Sequence, residues 1–163
     1  MALRVDIPEG KDPITWVWGE AVPGIGPAAA RFSAAVYDKS TLSLREFEAA
    51  RTRIAQINEC LFCLDWRTTR DDQQVDESFY SAVQGWASSP ELSERERLAA
   101  GYAEKFAASH LALDDDGDFW ARMHAAYTDP QIIELTMCVG SWIAFGRLNH
   151  VLGIDAVCKL PAH

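Results

Sequence analysis

The sequence predicts an all-α bundle of about six to seven helices, and three observations support this fold class. Ser43, Ser93 and Thr128 are each followed three residues later by Glu or Gln, which is the capping-box signal of a helix start. Apolar residues then recur at steps of three and four, as expected on one helix face; after Ser43 they are Phe47, Ala50, Ile54, Ile57 and Leu61. No two alternating apolar segments are present that could pair as strands.

The predicted helices begin behind Pro27, because proline is favoured at a helix start. They cover residues 28–38, 43–61, 77–86, 93–106, 116–126 and 130–152. The last of these segments is apolar on nearly every side, and such a helix lies either in the centre of a core or between subunits. We therefore expect self-association through apolar and aromatic surface.

Turn residues are concentrated before Pro27, which predicts an N-terminal arm at 1–24 and one helical domain at 25–163. Trp16 and Trp18 lie two residues apart, the spacing of an extended segment. We expect this arm to pack on its own core or on a neighbouring subunit.

Composition and charge exclude several classes of protein. The 163 residues are 48% apolar and 24% charged, values typical of one globular domain. A net charge of −9 disfavours nucleic acid and anionic membranes as partners. Charged residues interrupt the first segment, so no secretory signal is predicted, and the uncharged stretch at 135–146 is too short to cross a bilayer. A cytoplasmic protein is expected, and four cysteines are too few for a disulfide-stapled scaffold.

The motif Cys60-Leu61-Phe62-Cys63 carries the most distinctive chemistry. In the first turn of a helix, two cysteines at this spacing have Cα atoms about 5 Å apart, close enough for a disulfide. A helix N-terminus and a nearby cation such as Arg67 both favour a reactive thiolate.

The motif alone leaves three alternatives open. It could be half of a zinc site, although the other cysteines, Cys138 and Cys158, are twenty residues apart and form no second pair. It could belong to a thioredoxin-like fold, although the strand that should precede it is absent. The cysteines could also be small core residues.

The residues upstream of the motif favour redox chemistry. The stretch 43–63 resembles the signature of the alkylhydroperoxidase D-like branch of the carboxymuconolactone decarboxylase superfamily, with Glu48 twelve residues before Cys60 and the spelling A-Q-x-N-x-C-x-x-C. The segments 127–135 and 145–149 resemble the closing helix of that family. The resemblance covers residues 25–152.

This resemblance implies an all-α homotrimer or homohexamer with antioxidant, peroxiredoxin-type activity. Cys63 would attack the peroxide, Cys60 would resolve it as a disulfide, and Glu48 would begin a proton relay. A thiol or lipoyl-type carrier would reduce the enzyme, and no cofactor or metal is expected.

The sequence also departs from the family. Arg67 stands where the characterised peroxidases carry a histidine, and Phe62 stands where a second histidine occurs. Because its guanidinium stays protonated, Arg67 cannot pass protons near neutral pH and is expected to give electrostatic support only, with slower turnover. Twelve residues of continuous helix turn by about 120°, so Glu48 can approach Cys60 only if the helix breaks, and Asn58-Glu59 is the predicted break.

Two other functions stay open: a lactone decarboxylase, against which the cysteine pair argues, and a non-catalytic redox sensor or scaffold. Three further residues are expected outside the chemistry. Cys138, Trp66 and Trp142 are expected to pack in the core or at an interface. The histidines are His110, His124, His150 and His163, of which the first and last are expected to be exposed.

Overall fold

The structure, a computed structural model, describes residues 2–154, and every regular element in this range is helical. The α-helices are α1 (Pro13–Thr15), α2 (Gly26–Lys39), α3 (Leu44–Ile57), α4 (Leu61–Asp65), α5 (Glu77–Gln84), α6 (Glu94–Ser109), α7 (Gly117–Ala126) and α8 (Asp129–Leu152). A π-helical turn (Trp16–Glu20) follows α1 and a 3₁₀ turn (His110–Leu113) follows α6. The predicted all-α class is confirmed, whereas Cys158 and His163 lie outside the described residues.

The long helices begin where the capping signals predicted. At α3 the Ser43 hydroxyl accepts the Glu46 N–H and the Glu46 carboxylate accepts the Ser43 N–H, both at 3.3 Å. Helix α6 begins with the same reciprocal pair at Ser93. At α8 the Gln131 side chain accepts the Thr128 N–H at 3.0 Å. These side chains satisfy N–H groups that a helix start otherwise leaves unpaired.

The capping glutamates also join two helices to each other. Arg45 of α3 donates to Glu96 of α6 at 2.6 Å, and Arg95 of α6 donates to Glu46 of α3. Because each glutamate is the third residue of its own helix, the two crossed ion pairs bring the N-termini of α3 and α6 together.

The core is built around the contact between α3 and α6, against which α5 and α8 also pack. Small residues line this contact; Ala49, Ala50, Ala99, Ala100 and Ala103 are all fully buried. Small side chains allow close approach of two helix backbones, so α3 packs closely against α6 on its inner side. The cysteine motif comes directly after this helix in the sequence.

Helix α8 is apolar on two opposite sides, as its sequence indicated. Leu135 and Val139 are fully buried, whereas Ile133 and Met137 are 55% and 57% exposed. Burial on one side and exposure on the other leave an unpartnered apolar stripe that continues to Val151. No helix among residues 2–154 is long and apolar enough to cross a membrane.

The expectation of an extended segment at Trp16 and Trp18 is wrong, because this part of the arm is helical. Asp12 accepts the Thr15 N–H at 2.8 Å and Pro13 occupies the first helical position, so the local start signal outweighs the alternating pattern. The arm packs on its own chain: the Trp18 indole donates to Asn149 of α8 at 3.0 Å.

Candidate active site

The helix breaks directly before the cysteine motif, as predicted. Helix α3 ends at Ile57, Asn58 caps it, and Glu59 takes a left-handed backbone conformation with φ of 51°. Cys60 then starts α4 as its N-cap residue. The break turns the chain so that α4 leaves at an angle to α3, which lets residues of the two helices meet.

Asn58 is held from two directions. Its amide nitrogen donates to the Trp142 carbonyl at 3.0 Å, and its amide oxygen accepts from Arg147 at 3.1 Å. Gly146 of α8 makes room for it, since a Cβ at that position would lie 2.5 Å from the Asn58 amide nitrogen. The start of the motif is therefore anchored to α8.

Cys60 and Cys63 form a disulfide, with Cα atoms 5.2 Å apart. This separation agrees with the spacing expected for the first turn of a helix. The sulfur of Cys60 also accepts the Cys63 N–H at 3.4 Å. Cys60 is fully buried, whereas Cys63 is partly exposed, so an incoming molecule meets Cys63 first.

A buried ion pair lies beneath the motif. Glu48 is fully buried and Arg51 is 2% exposed, and the two side chains meet at two points, 2.6 Å and 2.8 Å apart. Thr68 donates a further hydrogen bond of 2.6 Å to Glu48. Burial alone would lower the pKa of Arg51, but the hydrogen bond and charge of Glu48 outweigh it and raise that pKa. The guanidinium therefore stays charged at any physiological pH.

Arg51 also holds the cysteine turn. Its Nη1 donates to the Cys63 carbonyl at 2.6 Å and its Nη2 donates to the Trp66 carbonyl at 3.0 Å. These carbonyls lie toward the C-terminal end of α4, where a cation is favourably placed. Arg51 thus links the Glu48 carboxylate of α3 to the backbone of the motif.

Tyr80 lies beside this ion pair. Its hydroxyl is buried and lies close to the Glu48 carboxylate. Burial first, and then the nearby Glu48 carboxylate, raise the pKa of Tyr80, so the phenol stays protonated.

A cavity of about 390 Å³ opens beside Cys63. Five segments contribute to it: the N-terminal segment, α2, α3, α4 and α8. Its aromatic lining consists of Trp18, Tyr37, Phe62, Trp66, Trp142 and Phe145, and Arg51 and Cys63 also reach its surface. Cys60 and Glu48 do not line the cavity. Of the two cysteines, only Cys63 thus borders this apolar space.

One known protein is similar to this chain in sequence, and another is similar in structure. No protein-family model matches the chain. The uncharacterized protein YnjA of Escherichia coli K12 is 32% identical over 112 residues, a match that covers 67% of this chain and 60% of YnjA. The chain thus matches less than two thirds of the length of that relative.

A crystal structure from Agrobacterium tumefaciens, of a protein of unknown function described as a candidate antioxidant defence protein AhpD, is similar with a TM-score of 0.70. The two sequences are 22% identical, and the match covers 88% of this chain and 94% of that one. The chain has the AhpD-like fold. The architecture expected from the sequence resemblance is therefore confirmed.

In this AhpD-like fold, Arg67 forms its hydrogen bonds with Glu77 and with backbone carbonyls after the cysteine motif. Its guanidinium donates to Glu77 at 2.7 Å and 2.9 Å and to the Leu64 carbonyl at 2.7 Å. It also lies 4.0 Å from the centre of the Tyr80 ring. The hydrogen bonds of Arg67 are thus made with α5 and with the backbone of α4.

The residue that sequence reasoning missed in the AhpD-like site is Arg51. Neither the cysteine motif nor the family resemblance singled out Arg51, yet both it and Glu48 are buried. A signal was present: Glu48 and Arg51 are three residues apart on a helix whose neighbouring positions are Ala49, Ala50 and Ala55. Charged residues among small apolar ones predict a paired, buried charge.

The remaining predicted residues occupy other parts of the AhpD-like fold. His124 is exposed and lies 3.4 Å from Asp129, and no histidine of residues 2–154 lines the cavity. Cys138 is buried as expected, and burial first and Glu134 second raise its pKa to about 12. Trp66 and Trp142, which were expected to have packing roles only, both line the cavity.

Within the described part of the chain, no group of three or more His, Cys, Asp or Glu side chains lies close enough to hold a metal ion. The arrangement that the AhpD-like fold does provide is a cysteine pair with one sulfur accessible and one buried. Such a pair can react with an oxidant at the first sulfur and close a disulfide with the second.

Proposed function

We propose that the protein is a thiol-dependent hydroperoxide reductase, an antioxidant enzyme of the peroxiredoxin type. The observation that carries this proposal is that Cys63 faces an apolar cavity while Cys60, its disulfide partner, is fully buried. The description of the Agrobacterium protein as a candidate antioxidant defence protein supports the same chemistry.

The reaction balances over two steps. The Cys63 thiolate attacks the terminal oxygen of a hydroperoxide, the O–O bond breaks, and Cys63 becomes a sulfenic acid while an alkoxide leaves. The alkoxide takes up from solvent the proton that Cys63 released on ionisation, and it departs as the alcohol. The Cys60 thiol then displaces the hydroxyl group, which forms the disulfide and releases water. An external dithiol of the lipoyl type reduces the disulfide by exchange and is itself oxidised to a disulfide.

Glu48 and Arg67 have different tasks in this scheme. Glu48 neutralises Arg51, which in turn fixes the carbonyls of the cysteine turn, so we assign Glu48 and Arg51 as positioning residues. Arg67 supports the same turn from its outer side through the Leu64 carbonyl. Without a relay histidine, turnover is expected to be slow, because proton transfer by a positioned side chain typically raises the reaction rate about 10²- to 10⁴-fold.

The partners follow from the same proposal: a peroxide, a dithiol or lipoyl-type reductant, and copies of this chain in a homotrimer or homohexamer in the cytoplasm. The exposed apolar stripe of α8 supports the assembly, because Ile133, Met137 and Val151 are 55%, 57% and 66% exposed. Sedimentation at micromolar concentration should show the trimer or hexamer.

Thiol titration before and after one equivalent of peroxide tests the function. We expect loss of two thiols per chain, a Cys60–Cys63 disulfide in peptide mapping, and repeated turnover when a dithiol is added. Cys63→Ser should abolish activity. Cys60→Ser should still release one equivalent of alcohol but should not turn over.

The outcomes separate the alternatives. Stoichiometric oxidation without turnover would favour a redox sensor. No oxidation of either cysteine would make the pair structural. Full activity in the Cys63→Ser variant would contradict the proposal outright.

A further inference from the structure

The N-terminal segment, residues 12–20, closes one side of the cavity that holds Cys63. Ile14 and Trp18 of this segment line the cavity. The Trp18 indole is fixed by its hydrogen bond of 3.0 Å to Asn149, and its ring meets Phe145 edge-on with centres 4.8 Å apart. Trp18 is therefore an ordered wall of the site.

The space behind this wall is larger than the chemistry at sulfur requires. Hydrogen peroxide, a molecule of two oxygen atoms, would fill only a small part of about 390 Å³. The amide and guanidinium groups on the lining are already occupied: Arg51 binds Glu48, Asn58 binds the Trp142 carbonyl, and Asn149 binds Trp18. The cavity therefore fits the apolar body of an organic molecule.

The indole of Trp142 and the hydroxyl of Tyr37 are neighbours on this lining. Burial raises the pKa of Tyr37, so its hydroxyl keeps its proton and adds no charge to the cavity. This part of the lining is therefore uncharged, which agrees with a neutral ligand body.

We infer that the cavity binds the organic part of a hydroperoxide whose body is neutral and aromatic, and that Trp18 is the residue that determines this specificity. The inference deepens the proposed function and rests on Cys63 as the reacting group. Aromatic rings pack edge-on or offset against one another. The aromatic lining of the cavity therefore favours a ring over a charged or flexible polar body.

The binding part of the inference is tested without any peroxide. In the fully reduced protein, iodoacetamide alkylates Cys63, and 2-phenyl-2-propanol, an unreactive aromatic alcohol, should slow this alkylation at least fivefold at saturation. In Trp18→Ala the alcohol concentration needed for half protection should rise about tenfold. Trp16→Ala is the matched control, because Trp16 belongs to the same turn but does not line the cavity.

The specificity part is tested by oxidation rates. Cumene hydroperoxide should oxidise Cys63 of Trp18→Ala about tenfold more slowly than the wild type, whereas the rate with hydrogen peroxide should change less than twofold. Trp18→Phe keeps a ring but loses the hydrogen bond to Asn149, and it should retain most of the preference for cumene hydroperoxide over hydrogen peroxide. This variant, together with circular dichroism of each variant, shows whether a loss of rate comes from a folding defect.

These outcomes distinguish the two proposals. Absent protection in the wild type, or equal protection in Trp18→Ala and Trp16→Ala, overturns the inference about Trp18 and the ligand. Protection without oxidation by either peroxide leaves the aromatic site standing and overturns the peroxidase function. An equal loss of rate with both peroxides in Trp18→Ala also overturns the inference, since it shows a general effect on Cys63.

Discussion

Arg51 donates a 2.6 Å hydrogen bond from Nη1 to the backbone carbonyl of Cys63, so a buried charge of α3 holds the turn that carries the accessible sulfur. Glu48 holds Arg51 in turn through two hydrogen bonds. The glutamate that the family resemblance marked as a proton carrier is thus connected to the motif through an arginine. Several measurements can test this arrangement.

Arg51→Met should lower the free energy of unfolding by about 3 to 5 kcal/mol, because it leaves the Glu48 carboxylate buried without its partner. Urea unfolding of the reduced and oxidised protein measures this loss. Arg51→Lys should recover only part of it, since an ammonium group cannot reach two carboxylate oxygens and two carbonyls at once. The double variant Glu48→Gln/Arg51→Met should be more stable than Arg51→Met alone.

Arg122→Met is the control for that series. Arg122 pairs with Glu94 at 2.6 Å, but both side chains are more than half exposed. Exposed pairs contribute at most about 1 kcal/mol, so this variant should unfold close to the wild type. Equal losses for Arg51→Met and Arg122→Met would contradict the role assigned to the buried pair.

Gly146→Ala should disturb the motif from the side of α8. Its added methyl group would lie 2.5 Å from the Asn58 amide nitrogen and must displace the side chain of the residue at the C-cap of α3. We expect a loss of about 1 to 3 kcal/mol in stability, as for overpacking, together with a changed alkylation rate of Cys63.

Gly140→Ala provides the comparison on the same helix. A Cβ at Gly140 meets nothing within 4 Å, so this variant gains helix propensity without a clash. It should be as stable as the wild type or more stable by up to about 1 kcal/mol. A Gly146→Ala protein that is also stabilised would show that Asn58 is free to move.

Cys138 should be unreactive in the folded protein. With its pKa raised to about 12, the thiol stays protonated at pH 8, and the thiol itself is a poor nucleophile. Peptide mapping after iodoacetamide treatment of the reduced protein should find Cys63 modified and Cys138 unmodified. In urea, both should react. Rapid native modification of Cys138 would contradict its burial.

Glu134 should make stability depend on acid pH. Burial opposes ionisation of Glu134, but hydrogen bonds from Ser40, Thr41 and Leu42 outweigh it and hold its pKa below the ordinary value of 4.5. A lowered carboxyl pKa contributes stability above that ordinary value, and the contribution is lost as pH falls through the lower, folded-state pKa.

Glu134→Gln should therefore be less stable than the wild type by about 1 to 2 kcal/mol at pH 7. The difference should shrink between about pH 5 and pH 3, which denaturant unfolding at several pH values can follow. Glu91→Gln, at an exposed residue, is the control variant for the substitution itself. A stability difference that is constant with pH would mean that the charge of Glu134 does not stabilise the backbone at residues 40–42.

Local signals in the sequence were sufficient for most of the fold. Serine and glutamate three residues apart predicted the starts of α3 and α6, because a capping box is decided by neighbouring residues. The break at Asn58 and Glu59 followed from the requirement that Glu48 approach the motif. The prediction of an extended N-terminal arm was wrong for a local reason too. Asp12 and Pro13 start a helix there, which the spacing of the two tryptophans does not indicate.

Contacts between distant segments could not be predicted. The crossed pairs of Arg45 with Glu96 and Arg95 with Glu46 depend on how α3 and α6 meet, which a single sequence does not show. The cavity likewise requires Trp18 to reach Asn149, more than a hundred residues away. Helix periodicity identifies a buried face but does not say which charges will meet on it.

The tryptophans that line the cavity should make the fluorescence of the protein depend on its redox state. Trp18, Trp66 and Trp142 line the same space as Cys63, and a disulfide accepts electrons from an excited indole at short range. Emission should therefore be weak while the sulfurs are joined and should brighten when a dithiol separates them. Each reduction and reoxidation of the cysteine pair could then be followed in unlabelled protein as one rise and one fall of tryptophan fluorescence.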